Sequence, residues 1–270
     1  GITKFNTKEV TDMRFMFGLC SELKYLDLSN FDTSNVTNMS GMFAGCNKLK
    51  QIKGINNFIT KKVTDMTGMF RYCLELEDLE LKYFDTSNVT SMAYMFHQCN
   101  RLQKIKGIEN FITEEVTDMK LMFGLCTDLT YLDLSYFNTS NVTNMAMMFN
   151  QCNKLNEIIG LNNFNTKNVK DMSKMFQYCF ALNYLDLSNF DTSNVTDMSW
   201  MFCGCNRLKE IKGINNFITN KVTDMSGIFY ECYDLIYLDI SKFDVSNVTN
   251  MSLMFYKCKK LKEIKGIKNF

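Results

Sequence analysis

The sequence predicts an α/β repeat solenoid with one short parallel strand and one short helix in each of about ten coils. Three observations carry that prediction. First, the stretch FDTSNVTNMSGMFAGCNKLK from Phe31 to Lys50 returns in close copies along the whole chain. Second, its opening phenylalanine recurs at Phe5, Phe31, Phe58, Phe84, Phe111, Phe137, Phe164, Phe190, Phe217, Phe243 and Phe270, with gaps alternating between 26 and 27 residues. Third, apolar residues keep fixed places in every copy while polar ones vary. Repeats of this length cannot bury their apolar faces alone and do so by stacking. The alternating gap makes the true unit a 53-residue pair, giving units 1–53, 54–106, 107–159, 160–212 and 213–265 and the start of a sixth within one array.

Along one copy, the first segment reads as helix. Val36, Met39, Met42 and Phe43 follow steps of three and four, the spacing of one helix face, and the valine and first methionine are the same in all ten copies. Thr37 stands where an N-cap would accept from a free amide of the first turn, and the helix of about two turns is expected to end near Gly45 and Cys46. The phenylalanines from Phe17 to Phe255 follow the second methionine column and are expected to stack as a buried aromatic spine.

The second segment reads as strand. Leu26 and Leu28 alternate with Tyr25, Asp27 and Ser29 in CSELKYLDLS, a period of two. The alternate copies read CNKLKQIKG and carry one extra residue, which places Gly54 in a bulge or tight turn. Strands of successive coils are expected side by side as a continuous parallel sheet. The Asp27 column then runs Asp27, Lys53, Glu80, Lys106, Asp133, Ile159, Asp186, Lys212, Asp239, Lys265, so opposite charges alternate and help to fix register.

The motif MFGLCSELKYLDLSNFDTSNVT from Met16 to Thr37 resembles the BspA-type bacterial surface leucine-rich repeat, and the resemblance extends over the whole chain. It implies a leucine-rich-repeat-like fold and a secreted or cell-surface protein of adhesion or protein binding, with no catalytic residues to carry over. The alternation with a second variant, KGINNFITKKVT, departs from the type.

Composition excludes several classes. Net charge is +1 with 30 basic and 29 acidic residues spread through every repeat, so no basic field for nucleic acid exists. No apolar run approaches the roughly 20 residues of a membrane span. No coil gathers an acid, base and nucleophile, so no enzyme and no cofactor are expected. The single histidine, His97, and Cys203 occupy a varying column with Ala44 and Arg71 that reads as solvent-facing, and Trp200 a neighbouring one with Gly41, Gly68 and Tyr94.

Ten of the eleven cysteines fall in one column from Cys20 to Cys258. Neighbours a strand spacing apart could form five bridges, but a buried row of free thiols is the preferred reading. Without a CxxC pair or accompanying histidine, the column is a poor metal site. The methionines share the face of the invariant valine and are read as core. Eight N-x-S/T sequons occur, at Asn35, Asn38, Asn88, Asn138, Asn141, Asn194, Asn247 and Asn250. Of these, Asn35, Asn88, Asn141, Asn194 and Asn247 sit where other coils carry charge, so they are candidates for N-glycosylation if the chain meets the machinery; the turn chemistry of asparagine is the preferred account of the column. Calcium-binding repeats have a Gly-rich pattern that is missing here.

Both ends are in phase with the repeat, Gly1 matching Gly54 and Gly107, and neither reads as a capping coil. The leading functional expectation is a structural array, a filament or stalk whose partner is itself, head to tail, or neighbouring repeats of a longer chain. The alternative is a monomeric adhesin for a host protein or glycan, with Tyr25, Asp27, Lys53 and Trp200 as candidate contacts and Phe15, His97 and Phe180 as further coil-specific positions.

Overall fold

The computed structural model describes residues 2–270; Gly1 lies outside them. The chain winds into a solenoid of three-residue parallel strands: β1 (Tyr25–Asp27), β2 (Gln51–Lys53), β3 (Asp78–Glu80), β4 (Lys104–Lys106), β5 (Tyr131–Asp133), β6 (Glu157–Ile159), β7 (Tyr184–Asp186), β8 (Glu210–Lys212), β9 (Tyr237–Asp239) and β10 (Glu263–Lys265). The strands pair two by two, β1 with β2 through β9 with β10, and do not form the continuous sheet expected from the repeat. Among the described residues no backbone hydrogen bond joins β2 to β3 or the strands at the equivalent gaps. The extra residue of the alternate copies accounts for this. Gly54 takes a left-handed conformation, φ 84°, and opens a 3-10 turn, Ile55–Asn57. A Cβ there would fall 2.5 Å from the backbone of Ser29 in the preceding coil, so only glycine permits the approach. The turn therefore packs back on β1 and leaves the far edge of β2 unpaired.

The segment expected as a helix contains no α-helix. Its amides alternate in direction: Met39, Gly41, Phe43 and Gly45 donate to Asp65, Thr67, Met69 and Arg71 carbonyls of the next coil at 2.7–3.0 Å, while Met42, Ala44 and Cys46 donate back three residues at 2.8–3.2 Å. The chain is a file of tight turns stitched sideways to its neighbours. Successive three-residue turns bring side chains to one face at the same steps of three and four as a helix, so the apolar periodicity could not separate the two. Unlike the strands, this turn face is tied across every gap, with parallel bridges running unbroken from Asp12 through Asn38 and Asp65 to Asn250.

The core fills the space between turn face and strands. Val36, Met39, Met42, Phe43, Cys46 and Leu49 and their interior equivalents are fully buried. The expected aromatic spine is present: Phe17, Phe43, Phe70, Phe96, Phe123, Phe149, Phe176, Phe202, Phe229 and Phe255 stack with centroids 5.5–5.9 Å apart. Burying each ring contributes roughly 1.5–3 kcal/mol.

Two polar columns stitch the coils. The Thr33 hydroxyl donates to the Ile59 carbonyl at 3.0 Å and accepts from the Ile59 amide at 2.8 Å, standing in for a strand partner, and its equivalents from Thr7 to Thr219 are buried. Thr37 caps no helix: its hydroxyl donates to the Thr11 carbonyl of the preceding coil at 3.1 Å. The local capping is done one residue later, where Asn38 Oδ1 accepts from the Ser40 amide at 2.9 Å.

Candidate functional site

The two faces of the solenoid differ in what they offer. On the strand face Tyr25 and Asp27 lie opposite Gln51 and Lys53 in register. Asp27 accepts the Ser29 amide at 3.0 Å and pairs with Lys53 Nζ at 2.8 Å, and the Lys53 ammonium and the Ser29 donors hold its carboxyl well below the usual range. Asp186–Lys212 and Asp239–Lys265 repeat the arrangement at 2.7 and 3.0 Å, each carboxyl lowered to about 2. A second column adds Glu22–Lys48, Glu75–Arg101, Asp128–Lys154 and Asp234–Lys260 at 2.6–2.7 Å. Both columns pair an acid with the base of the following coil inside one strand pair. These pairs are exposed, so solvent screens them and they add to register more than to stability. Between strand pairs lie grooves, one of about 510 Å³ lined by residues of β2 and β3.

The predicted contact residues do not converge. Tyr25, Asp27 and Lys53 share the strand face, whereas Trp200 lies half-buried on the turn face, its ring 5.4 Å from that of Tyr230. The turn face owes its surface to two backbone positions per coil. Among the described residues fifteen non-glycine residues there have positive φ, including Phe15, Leu19, Tyr72, Tyr94, Tyr178 and Trp200, and Gly41, Gly45, Gly68, Gly204 and Gly227 fill other coils. Ladder hydrogen bonds hold these residues in a conformation costing about 1–2 kcal/mol for an L-residue. A bulky member lies down over a glycine of the next coil. Phe15 covers Gly41, Leu19 covers Gly45, Tyr178 covers Gly204, and a Cβ on Gly227 would stand 2.5 Å from the Trp200 ring.

His97 and Cys203 point inward from the adjoining column, contrary to the solvent-facing reading. His97 is 6% exposed, with Nδ1 3.1 Å from the Gly124 carbonyl, and burial followed by the Arg71 charge lowers its pKa to about 4. Cys203 is fully buried. The column sits under the left-handed residues, whose turns direct it against the neighbouring coil. Around His97 gathers a cluster that the repeat pattern did not single out. Arg71 is held between the Tyr72 and Tyr94 rings, 4.7 Å from each centroid, and both rings meet His97 edge-on. Its only sequence signal is departure from the small residues that precede it in the same columns.

The five asparagines proposed for glycosylation each donate Nδ2 to a carbonyl of the preceding coil, Asn35 to Lys8, Asn88 to Lys61, Asn141 to Glu114, Asn194 to Lys167 and Asn247 to Asn220, at 2.7–2.9 Å. The atom that would carry a glycan is thus a coil-to-coil tie. The cysteine column from Cys46 to Cys258 consists of free thiols, each donating to a phenylalanine carbonyl of the preceding coil at 3.0–3.3 Å. Burial pushes Cys126 up to about 12 and Cys46 to about 11. Among the described residues no group of three or more His, Cys, Asp or Glu could hold a metal, and no helix is long and apolar enough to cross a membrane.

The stacked turns and strand pairs repeat through the whole chain, and so does its match to a family model, described as "Mycoplasma protein of unknown function, DUF285", over residues 1–106, 46–130, 100–211 and 181–269. The chain belongs to this family. Among solved structures, this DUF285 protein is similar to a leucine-rich cell surface protein of Faecalibacterium prausnitzii, at 17% identity and a TM-score of 0.44, covering 96% of this chain and 77% of that one. It is also similar to leucine-rich repeat proteins of Bacteroides ovatus, 15% identical with a TM-score of 0.38 over 96% and 84% of the two chains, and Eubacterium ventriosum, 16% and 0.41 over 94% and 82%. No curated protein matches the DUF285 sequence.

Proposed function

We propose that this chain is a length of a non-enzymatic structural array displayed outside the cell, extended by stacking one coil on the next. One observation carries the reading. The same parallel bridges join each coil to the next from Asp12 to Asn250, and the phenylalanine spine stacks at one spacing from Phe17 to Phe255, so every interior junction repeats one coil-to-coil contact. Each interior coil satisfies its core columns and its turn-face ladder against a coil of the same kind. Another coil of this kind, from the same chain or from a second copy, is the complementary surface. The contact is heterologous and does not close, so copies associating through it give a linear assembly. The surface location is supported by the BspA-type repeat motif.

Sedimentation and negative-stain electron microscopy over rising concentration test the stacking. Linear oligomers are expected, lost on Met251→Asp with the interior fold retained by circular dichroism. A homogeneous monomer throughout the range overturns self-stacking. The second reading, an adhesin for a host protein or glycan, is favoured by the aromatic side chains laid along the turn face, and the same preparations test it by binding of partners to isolated rods.

A further inference from the structure

The bulky-over-glycine order of the turn face is interrupted where two glycines follow each other, Gly41 and then Gly68. With no side chain on Gly41 to reach across, a Cβ on Gly68 would meet nothing closer than Arg71 at 3.5 Å. The result is an open depression of about 260 Å³. Gly41, Gly45 and Gly68 supply backbone at its surface, and Phe15, Leu19, Tyr72 and Tyr94 supply apolar walls. Arg71 lines it as the sole charged residue. The guanidinium has an unusual position. It is stacked between two tyrosine rings and donates to the Tyr72 hydroxyl at 3.1 Å. It has no acidic partner among the described ion pairs, and its Nε is buried with no acceptor. By contrast, Arg14 and Arg101 each hold a carboxylate.

From this geometry we infer that the depression at Arg71 is a binding site for a small organic carboxylate with an apolar body. A guanidinium held without a counter-charge favours an anion beside it. A guanidinium recognises a carboxylate through paired donors, and stacking between rings fixes its plane so that little freedom is lost on binding. The walls accept an aromatic or branched aliphatic group. A neutral sugar is disfavoured, because the walls offer few polar groups to meet its hydroxyls. The depression opens on the turn face of the first four coils and its charged group, Arg71, lies in the third, so the inference does not rest on the stacking reading.

The test is calorimetric titration of the full chain with 3-phenylpropanoate and, separately, with 3-phenylpropanamide. The fragment is expected to bind at one site with Kd on the order of 0.1–1 mM, and the amide at least tenfold more weakly. Two variants use residues that the same columns carry elsewhere, so the fold is retained: Arg71→Gln, as at Gln177, and Gly68→Leu, as at Leu121. The first is expected to abolish the preference for carboxylate over amide, the second to abolish binding of both. Absence of saturable binding to 10 mM overturns the inference, as does equal affinity for the two probes. Binding unchanged in a folded Gly68→Leu protein overturns it as well.

Discussion

Raising the pH threatens the proton that each buried column thiol donates to a phenylalanine carbonyl. Eight column cysteines, Cys46, Cys73, Cys99, Cys126, Cys152, Cys179, Cys205 and Cys232, are fully buried, and burial pushes each thiol above its ordinary value. A group whose folded pKa is raised contributes stability that is complete below its unfolded pKa, about 8.5 for cysteine, and is lost as pH climbs through the folded value. One unit above the unfolded pKa each thiol withdraws about 1.4 kcal/mol, so eight withdraw on the order of 10 kcal/mol by pH 9.5. That matches the whole stability of an ordinary domain, about 5–15 kcal/mol. Unfolding free energy from urea titrations should therefore fall steeply from pH 8 to 10. The triple variant Cys99→Ser, Cys126→Ser, Cys152→Ser keeps a donor to each phenylalanine carbonyl but does not titrate there, and its slope should be shallower by about three protons. Tyrosine and lysine titrate alike in both proteins and cancel. An equal slope in the two proteins, or stability flat to pH 10, would refute the account.

The other predictions concern single columns. Phe123→Ala, in mid-spine, should cost about 3–5 kcal/mol in denaturant titration, and Phe17→Ala, with a neighbour on one side only, clearly less. Thr86→Val leaves the Ile112 amide and carbonyl, both 2.8 Å from the hydroxyl, without their partner; about 1–3 kcal/mol should be lost, seen as a lower urea midpoint. Gly227→Ala forces the Trp200 ring off its seat at about 1–3 kcal/mol, shifting the emission of the chain's single tryptophan; in a Trp200→Gly background the same change should cost less. On the acid side Asp186 and Asp239 have lowered folded values, so their contribution is complete above the unfolded pKa of about 3.9 and lost as pH falls through about 2. Asp186→Asn should make the decline between pH 4 and 2 shallower.

Much of this architecture was legible as columns. The phenylalanine spine, the buried valines and methionines and the acid-to-base alternation all follow from reading one position down successive copies, because stacking converts sequence period into spatial adjacency. What the columns could not convey was the direction of backbone hydrogen bonds. Steps of three and four describe a helix and a file of three-residue turns equally, and amides bonding sideways leave no mark on composition. The left-handed positions were hidden for a related reason. Phe15, Tyr94 and Trp200 hold a conformation that glycine marks in Gly41 and Gly68, so the column read as variable surface. His97 and Cys203 were misplaced with it, and the Arg71 cluster, which forms at a single junction between two coils, has no repeat to announce it.

The two-by-two strand pairing has a mechanical consequence. One side of the rod is bonded across every gap and resists lengthening, while on the other the strands pair across alternate gaps only. Bending that opens the strand side concentrates at the unpaired gaps, where no strand-to-strand hydrogen bond must break, and leaves each strand pair rigid. The molecule is a chain of stiff two-coil links hinged along one edge, able to follow a curved support while its turn face keeps a constant length.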